Sequence, residues 1–417
     1  MEVTCTTYTA VLRLEPDREQ FKALMSLMVL YNKVANDTAQ IAKIHNTNGS
    51  VELHHAAYYS NKANYPELPS QSNSDLIRQV ARNIKSLKTR AKNLQDKIDY
   101  LKEHDKFINP KRYKQLEKIQ QAVPHYKPTS SISLSWDNSY RIYLDKRSIS
   151  ILSTKSIGRQ RIHYTACKYY RNLLESMTRH GEAKLVYNPK KHRFYLHVTG
   201  DVPSIPYDFE NMNVMGVDQG CNNLLTSDNN FNYNGDKVWK IVKRHQAYRS
   251  KYQQAADNGS KTAKRRLRES SGQLGRFMRD MCHVVSKELI KHAIDNNIST
   301  IALEKLTYMK DFPYVNDETR RILYRWPQAQ LAEYIQYKAV YNGIMVIYVN
   351  PKYTSITCSK CGYMDKSARI TRDTFRCPTC GDMDADVNAA RNIRRLGYLI
   401  AAKIRLRYKL HAAQSTS

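Results

Sequence analysis

From Pro351 to Ile393 the chain reads PKYTSITCSKCGYMDKSARITRDTFRCPTCGDMDADVNAARNI. Two CxxC pairs, Cys358/Cys361 and Cys377/Cys380, are separated by the fifteen residues from Gly362 to Arg376. That is the spacing of a four-thiolate zinc site, in which each pair offers two ligands of a tetrahedron and the segment between closes the loop. Four thiolates leave no open coordination position, so the expected Zn²⁺ is structural, holding the adjoining segment against a core. That segment is acidic. Asp382, Asp384 and Asp386 run directly into the helix-like NAARNIRRL. A carboxylate at a helix start beside a zinc module suggests metal-dependent work on a polyanion, and the preceding chain must supply the remaining parts.

The composition points the same way. The 417 residues, 41% of them hydrophobic, can bury a sizeable core, enough for about two or three domains. Lys and Arg number 67 against 38 Asp and Glu, a formal charge of +29. Solubility needs no such single-sign excess, and nucleic acid is the partner it fits. Thirty tyrosines add aromatic faces on which unpaired bases can stack, although most belong in a core. No apolar run reaches membrane-spanning length, and the opening MEVTCTTYTAVLRLEPDREQ is strand-like and polar, not signal-like. Eight cysteines without a secretory signal fit a reducing compartment. The expected location is the cytoplasm, at the nucleoid in a prokaryote or in the nucleus of a eukaryote. Cys5, Cys167, Cys221 and Cys282 stand singly and read as ordinary thiols.

Taken in order, Val3 to Leu14 alternates as a strand, and Asp17 with Gln20 forms a capping box for a helix reaching about His45. A Tyr/His/Asn-rich loop is expected from His45 to Gln71. Next comes a long basic helical block, on which Leu76, Val80, Ile84, Leu87 and Ala91 share a face, and Lys111–Gln121 forms one more helix. From about Ser130 the period changes to two, and antiparallel strands are expected on both sides of a helical segment from Ile157 to His180. Pro203 to Asn213 is a turn-rich boundary. Beyond it, Val214–Asp218 and Ile298–Leu303 are apolar strands leading to the acids Asp218 and Glu304. Between them lies a pair of long basic helices joined at Asn258-Gly259. A helix from Trp326 to Asn342 and a strand from Ile344 to Val349 lead into the cysteine module, and Arg391–Lys409 reads as a basic amphipathic helix.

An isolated carboxylate beside an apolar strand is costly unless it is paired or binds a cation. Asp218, Glu304 and Asp386 together suggest a shared centre for Mg²⁺ or Mn²⁺, ions that prefer carboxylate and water oxygens. Singly, each acid also fits a plainer role: Asp218 as a turn former, Glu304 as an ion-pair partner, Asp386 as a helix cap.

Here the chain resembles a known family. GVDQG at Gly216–Gly220, IALEKL at Ile301–Leu306 and DADVNAARNI at Asp384–Ile393 look like the three RuvC motifs of the transposon-encoded TnpB proteins, relatives of the miniature type V, Cas12-type CRISPR nucleases. YIQYKAVYNGIMVIYVNPKYTSITCSKCG is similar to that family's approach to its zinc knuckle. Arg279-Asp280 with His283 and Ser286 is similar to its helix before the glutamate strand. The likeness is dense from about Asn213 to Ile393 and rests on arrangement before that. It implies an α/β architecture of two lobes with β and helical modules. These are a wedge-like β domain over 1–14 and 126–205, a helical recognition insert over 15–125, and an RNase H-like (RuvC) nuclease domain over 206–417. The last contains the zinc-binding insert 354–382 and the basic C-terminal helix or tail 391–417. It further implies Asp218, Glu304 and Asp386 as catalytic, magnesium-binding acids, with Asp384 the nearby alternative to Asp386. Cys358, Cys361, Cys377 and Cys380 are the zinc ligands, and a guide RNA and its target DNA the partners. The implied function is guide-directed cleavage of DNA by a two-metal mechanism. A nuclease-inactive regulator, a transposase and a miniature CRISPR effector are the alternatives. Lys352, Lys360, Lys366, Arg369 and Arg372 beside the cysteines could touch the target strand.

Overall fold

A computed structural model describes residues 5–47, 49–105, 107–220, 222–305, 327–371 and 373–414. Val3, Cys221, Leu306, Trp326, Arg372 and the last three residues of the expected tail lie outside them. The chain divides into two compact units, Thr7–Pro203 and, with Cys5 and Thr6, the part from Ser204 onward.

The unit from Thr7 opens on β1 (Cys5–Glu15), whose alternation buries Ala10, Leu12 and Leu14. The capping box forms as expected. The Asp17 carboxylate accepts from the Glu19 and Gln20 amides, Gln20 returns a side-chain oxygen to the Asp17 amide, and α1 (Arg18–Ile44) begins. The expected loop over 45–71 is instead largely helical, as α2 (Ser50–Asn64). Its buried stripe is only Leu53, Ala57 and Asn61, too narrow to register as hydrophobic periodicity. Asn61 donates to Thr38 and Asn73, so one of the three residues that seat this helix is polar. Helices α3 (Ser70–Glu103) and α4 (Lys111–Gln121) come next and meet through Ala91, Ile98 and Leu116.

These helices accompany a seven-stranded sheet of order β2-β6-β7-β1-β5-β4-β3. Its later strands are β2 (Ile132–Leu134), β3 (Tyr140–Tyr143), β4 (Ser148–Leu152), β5 (Arg159–Thr165), β6 (Arg179–Asn188) and β7 (Arg193–Pro203). The helix expected over 157–180 is wrong in its first half. Residues 159–165 form β5 between β1 and β4, and only α5 (Lys168–Glu175) is helical. In β5, Ile162 and Tyr164 are buried while Arg159, Arg161 and His163 are exposed. The period of two was there, but the buried set is only two residues long.

The second unit is built on a five-stranded sheet of order β10-β9-β8-β11-β12. Strands β8 (Val214–Asp218), β11 (Thr300–Glu304) and β12 (Met345–Val349) run parallel, while β9 (Asn223–Ser227) and β10 (Asn232–Asn234) add antiparallel to the β8 edge. The first four residues of β8 and of β11 are buried, as expected of strands covered on both faces. One face carries α6 (Asp236–Asp257), α8 (Gln273–Asp295) and α9 (Gln328–Tyr341), with Met215, Val217, Ile301 and Leu303 packed on Trp239, Val285 and Leu331. The expected pair of helices over 236–296 is a set of three. A short α7 (Lys261–Glu269) is cut from α8 at Gly272, whose φ of 75° breaks the helical run. Ser286 on α8 accepts from the Lys338 amine of α9, a lysine that burial brings down to about 8.

The opposite face carries one long helix, α10 (Ala385–Gln414). The helix start at Asp386 and the expected separate tail are thus a single element. Its seat is close: a Cβ on Gly216 would lie 2.1 Å from the Ala390 carbonyl oxygen, and one on Gly397 would lie 2.4 Å from the Ala302 Cβ. Ile393 and Ala401 then bury against Val214, Ala302, Ile347 and Val349. Among the described residues no helix is long and apolar enough to cross a membrane.

Candidate functional site

The topology brings two of the three acids to one edge. β8 and β11 are parallel neighbours with Val217 opposite Leu303, so Asp218 and Glu304 come side by side at the strands' C-terminal ends. That edge is where open α/β sheets present ligand-binding groups. Asp386 comes from the first turn of α10, which packs on β8.

The charges of Glu304 and Asp386 act on Asp218. Burial, then the charges of Glu304 and Asp386, push the Asp218 carboxyl up to about 8, against the Arg369 guanidinium and the Gln219 amide. Burial also raises Glu304, opposed by a hydrogen bond from Thr354, and raises Asp386, opposed by Asn223 and Arg369. Asn223 Nδ2 donates to Asp386 Oδ2 at 3.1 Å, and the Arg369 guanidinium lies 3.6 Å from Oδ1. Three half-buried carboxylates that resist ionising together form a site whose charge a divalent cation would relieve.

The acidic run 382–386 separates into three roles. Asp382 is paired with Arg376 through two bonds of 2.6 and 2.8 Å. Asp384 Oδ1 accepts from the Val387 amide at 2.9 Å and caps α10. Asp386 is therefore not the cap; its carboxylate meets Asn223 and Arg369, and its charge acts on Asp218. A fourth acid, Asp228, is buried away from them, accepting from the Gly216 amide at 2.7 Å and from Arg394 at 3.1 Å.

Among the described residues, the potential ligand atoms that lie within 4.8 Å of one another are the sulfurs of Cys358, Cys361, Cys377 and Cys380. Each CxxC is followed by a glycine in the left-handed region, Gly362 at φ 80° and Gly381 at φ 75°, so each pair closes in a tight turn. The Cys361 and Cys377 sulfurs are 3.4 Å apart, against about 3.8 Å across a tetrahedron of Zn–S bonds. The strands β13 (Thr374–Cys377) and β14 (Gly381–Asp384) form the hairpin that carries the second pair. The donor set fits Zn²⁺ and offers no position for chemistry.

The knuckle is bound to α10 by two asparagines of the NAARN run. Asn388 accepts from the Ser359 amide and donates to the Thr357 carbonyl, both at 2.8 Å. Asn392 donates to the carbonyls of Thr354 and Thr357 at 2.9 and 2.7 Å. Asn223, Thr354, Asn388 and Asn392 had no assigned role from sequence. Arg369, expected to face a nucleic-acid strand, faces Asp386.

Two family models match segments of the chain: "Cas12f1-like, TNB domain" over residues 329–393 and "Probable transposase" (OrfB_IS605) over residues 197–310. A CRISPR-associated endodeoxyribonuclease Cas12f1 of Sulfoacidibacillus thermotolerans is 28% identical over 225 residues, 51% of this chain and 52% of that one. A TnpB-like protein of Methanocaldococcus jannaschii is 33% identical over 164 residues, 37% of this chain and 57% of that one. The chain thus spans about half the length of these curated relatives. Among solved structures, the Cas12f1 chain of a Cas12f1–sgRNA–target DNA complex superposes with a TM-score of 0.51 at 16% identity, over 94% of this chain and 99% of that one. The fold is that of the compact Cas12 effectors, and in sequence the chain is similar to Cas12f and TnpB-like proteins.

Proposed function

We propose that this chain is a metal-dependent, RNA-guided DNA endonuclease of the TnpB and Cas12f kind, cutting guide-complementary DNA at a centre formed by Asp218, Glu304 and Asp386. The observation that carries the reading is the meeting of those three acids at one sheet edge, with Asp218 pushed up to about 8. The five-strand order, three antiparallel strands continued by two parallel ones, supports an RNase H-like (RuvC) core over 206–417. The antiparallel sheet of 1–14 and 126–205 is then the wedge-like domain and the helices of 15–125 its recognition insert. The names of the relatives, endodeoxyribonuclease among them, support the same activity.

The acids would hold Mg²⁺ or Mn²⁺, which when bound in a pair about 4 Å apart activates a water and stabilises the leaving oxygen of a phosphodiester. Asp218 must give up its proton on loading. Asn223 orients Asp386. The zinc knuckle has a structural role, bound to α10 next to Asp386.

The polyanion reading has its own support in the α6–α7 hairpin. Lys261, Lys264, Arg265, Arg266 and Arg268 are exposed on α7. The Arg266 guanidinium lies 5.0 Å over the Tyr252 ring, and Tyr248 is 4.5 Å further along α6. Cations interleaved with aromatic rings suit a nucleic-acid backbone and its bases. The test is to purify the protein with the RNA it retains, sequence that RNA, and offer matched duplex DNA in Mg²⁺. Cleavage that depends on the match supports the proposal. Cleavage indifferent to the guide, or none at all, overturns it.

A further inference from the structure

Thr354 lies between β12 and Cys358, is 3% exposed, and takes no part in the chemistry proposed above. Its hydroxyl donates to Glu304 Oε1 and lies 3.0 Å from the Pro351 carbonyl oxygen. A hydroxyl has one proton for these two acceptors, and a charged carboxylate competes for it better than a carbonyl does. Once Glu304 is ionised, the Thr354 proton is therefore directed at it.

Thr354 is itself held. Asn392 donates to its carbonyl, and together with Asn388 fixes the backbone from Thr354 to Ser359 through four hydrogen bonds of 2.7–2.9 Å. Both asparagines are buried, and they occur one helical turn apart on α10. The same helix carries Asp386 in its first turn. A continuous path results: Asp386 to Asn388 and Asn392 along α10, across to the knuckle's base, through Thr354 to Glu304.

We propose that Thr354 is a positioning residue of the acid centre, and that the Asn388–Asn392 clamp sets its position, so that the base of the zinc knuckle fixes where the Glu304 carboxylate sits relative to Asp386. The inference rests on the reading of Asp218, Glu304 and Asp386 as a divalent-metal site. A threonine that only stabilised the Pro351 turn would affect folding and zinc content but not the affinity of that site. Partners of metal-binding groups typically change affinity by about 10–100-fold when removed.

The test is Mn²⁺ titration of the full chain, monitored by the electron paramagnetic resonance signal of free Mn²⁺, with zinc content and thermal midpoint measured in parallel. Thr354→Val is expected to weaken Mn²⁺ binding by about tenfold with zinc content unchanged, and Thr354→Ser, which keeps the hydroxyl, to retain wild-type affinity. If Thr354→Val binds as wild type while Asp218→Asn binds poorly, the role given to Thr354 is wrong and the acid centre stands. If Asp218→Asn also binds as wild type, the acid centre itself is wrong. Should Thr354→Val lose zinc, Thr354→Ser and Thr354→Ala decide, since equal Mn²⁺ affinity in those two overturns the proposal.

Discussion

At Asp218 burial and two neighbouring carboxylates act in one direction, and Arg369 with the Gln219 amide acts in the other. An acid raised from 3.8 to about 8 keeps, when folded, a proton that the unfolded chain has released throughout that interval. In magnesium-free buffer its contribution to stability therefore falls as pH rises through the interval, by at most about 1.4 kcal/mol for each pH unit. Asp218→Asn imitates the protonated acid and removes that dependence. The variant should unfold at a higher temperature than the parent at pH 8, and the gap should close toward pH 4. A gap independent of pH would contradict the assignment. The acids were legible in sequence because each stands where an apolar strand ends or a helix begins. Asn223 and Thr354 were not, because a side chain that hydrogen-bonds a carboxylate obeys no period and becomes a neighbour only through the fold.

Among the elements, α10 has the narrowest tolerance. Its backbone lies against β8 at Gly216, where a methyl group would sit 2.1 Å from a carbonyl oxygen on a rigid helix. Gly216→Ala should destabilise by more than the about 1–3 kcal/mol usual for overpacking, because backbone and not a flexible side chain must move. Denaturant unfolding at neutral pH checks this, and a loss below about 1 kcal/mol would show that α10 can shift. Replacing Arg265 and Arg268 together by Ala on α7 should lower the salt dependence of RNA binding by about two counter-ions if both meet phosphates. An unchanged slope would remove α7 from the interface. Elements with long apolar faces, such as α1 and β7, were legible. Those resting on two or three buried residues, α2 and β5, were not. The break before α8 left no clear mark in the pattern, because a lone glycine is often tolerated within a helix.

For the molecule as a whole, the charge of +29 and the cysteine spacing pointed to a polyanion partner and to a four-thiolate zinc site before any fold was known. What they could not convey is that zinc knuckle and acid centre share one helix, with Asn388 and Asn392 on its inner side and Asp386 at its head. On the proposed reading, that sharing ties the third acid to the knuckle and joins the three acids in one site. The most direct measurement is guide-dependent cleavage by Asp218→Ala, Glu304→Gln and Asp386→Asn, each purified with its RNA and assayed in Mg²⁺ beside the parent. The expected result is loss of cutting in all three with RNA retained at the parent's stoichiometry. Cutting at the parent's rate by any one of them would contradict a single centre built from these acids.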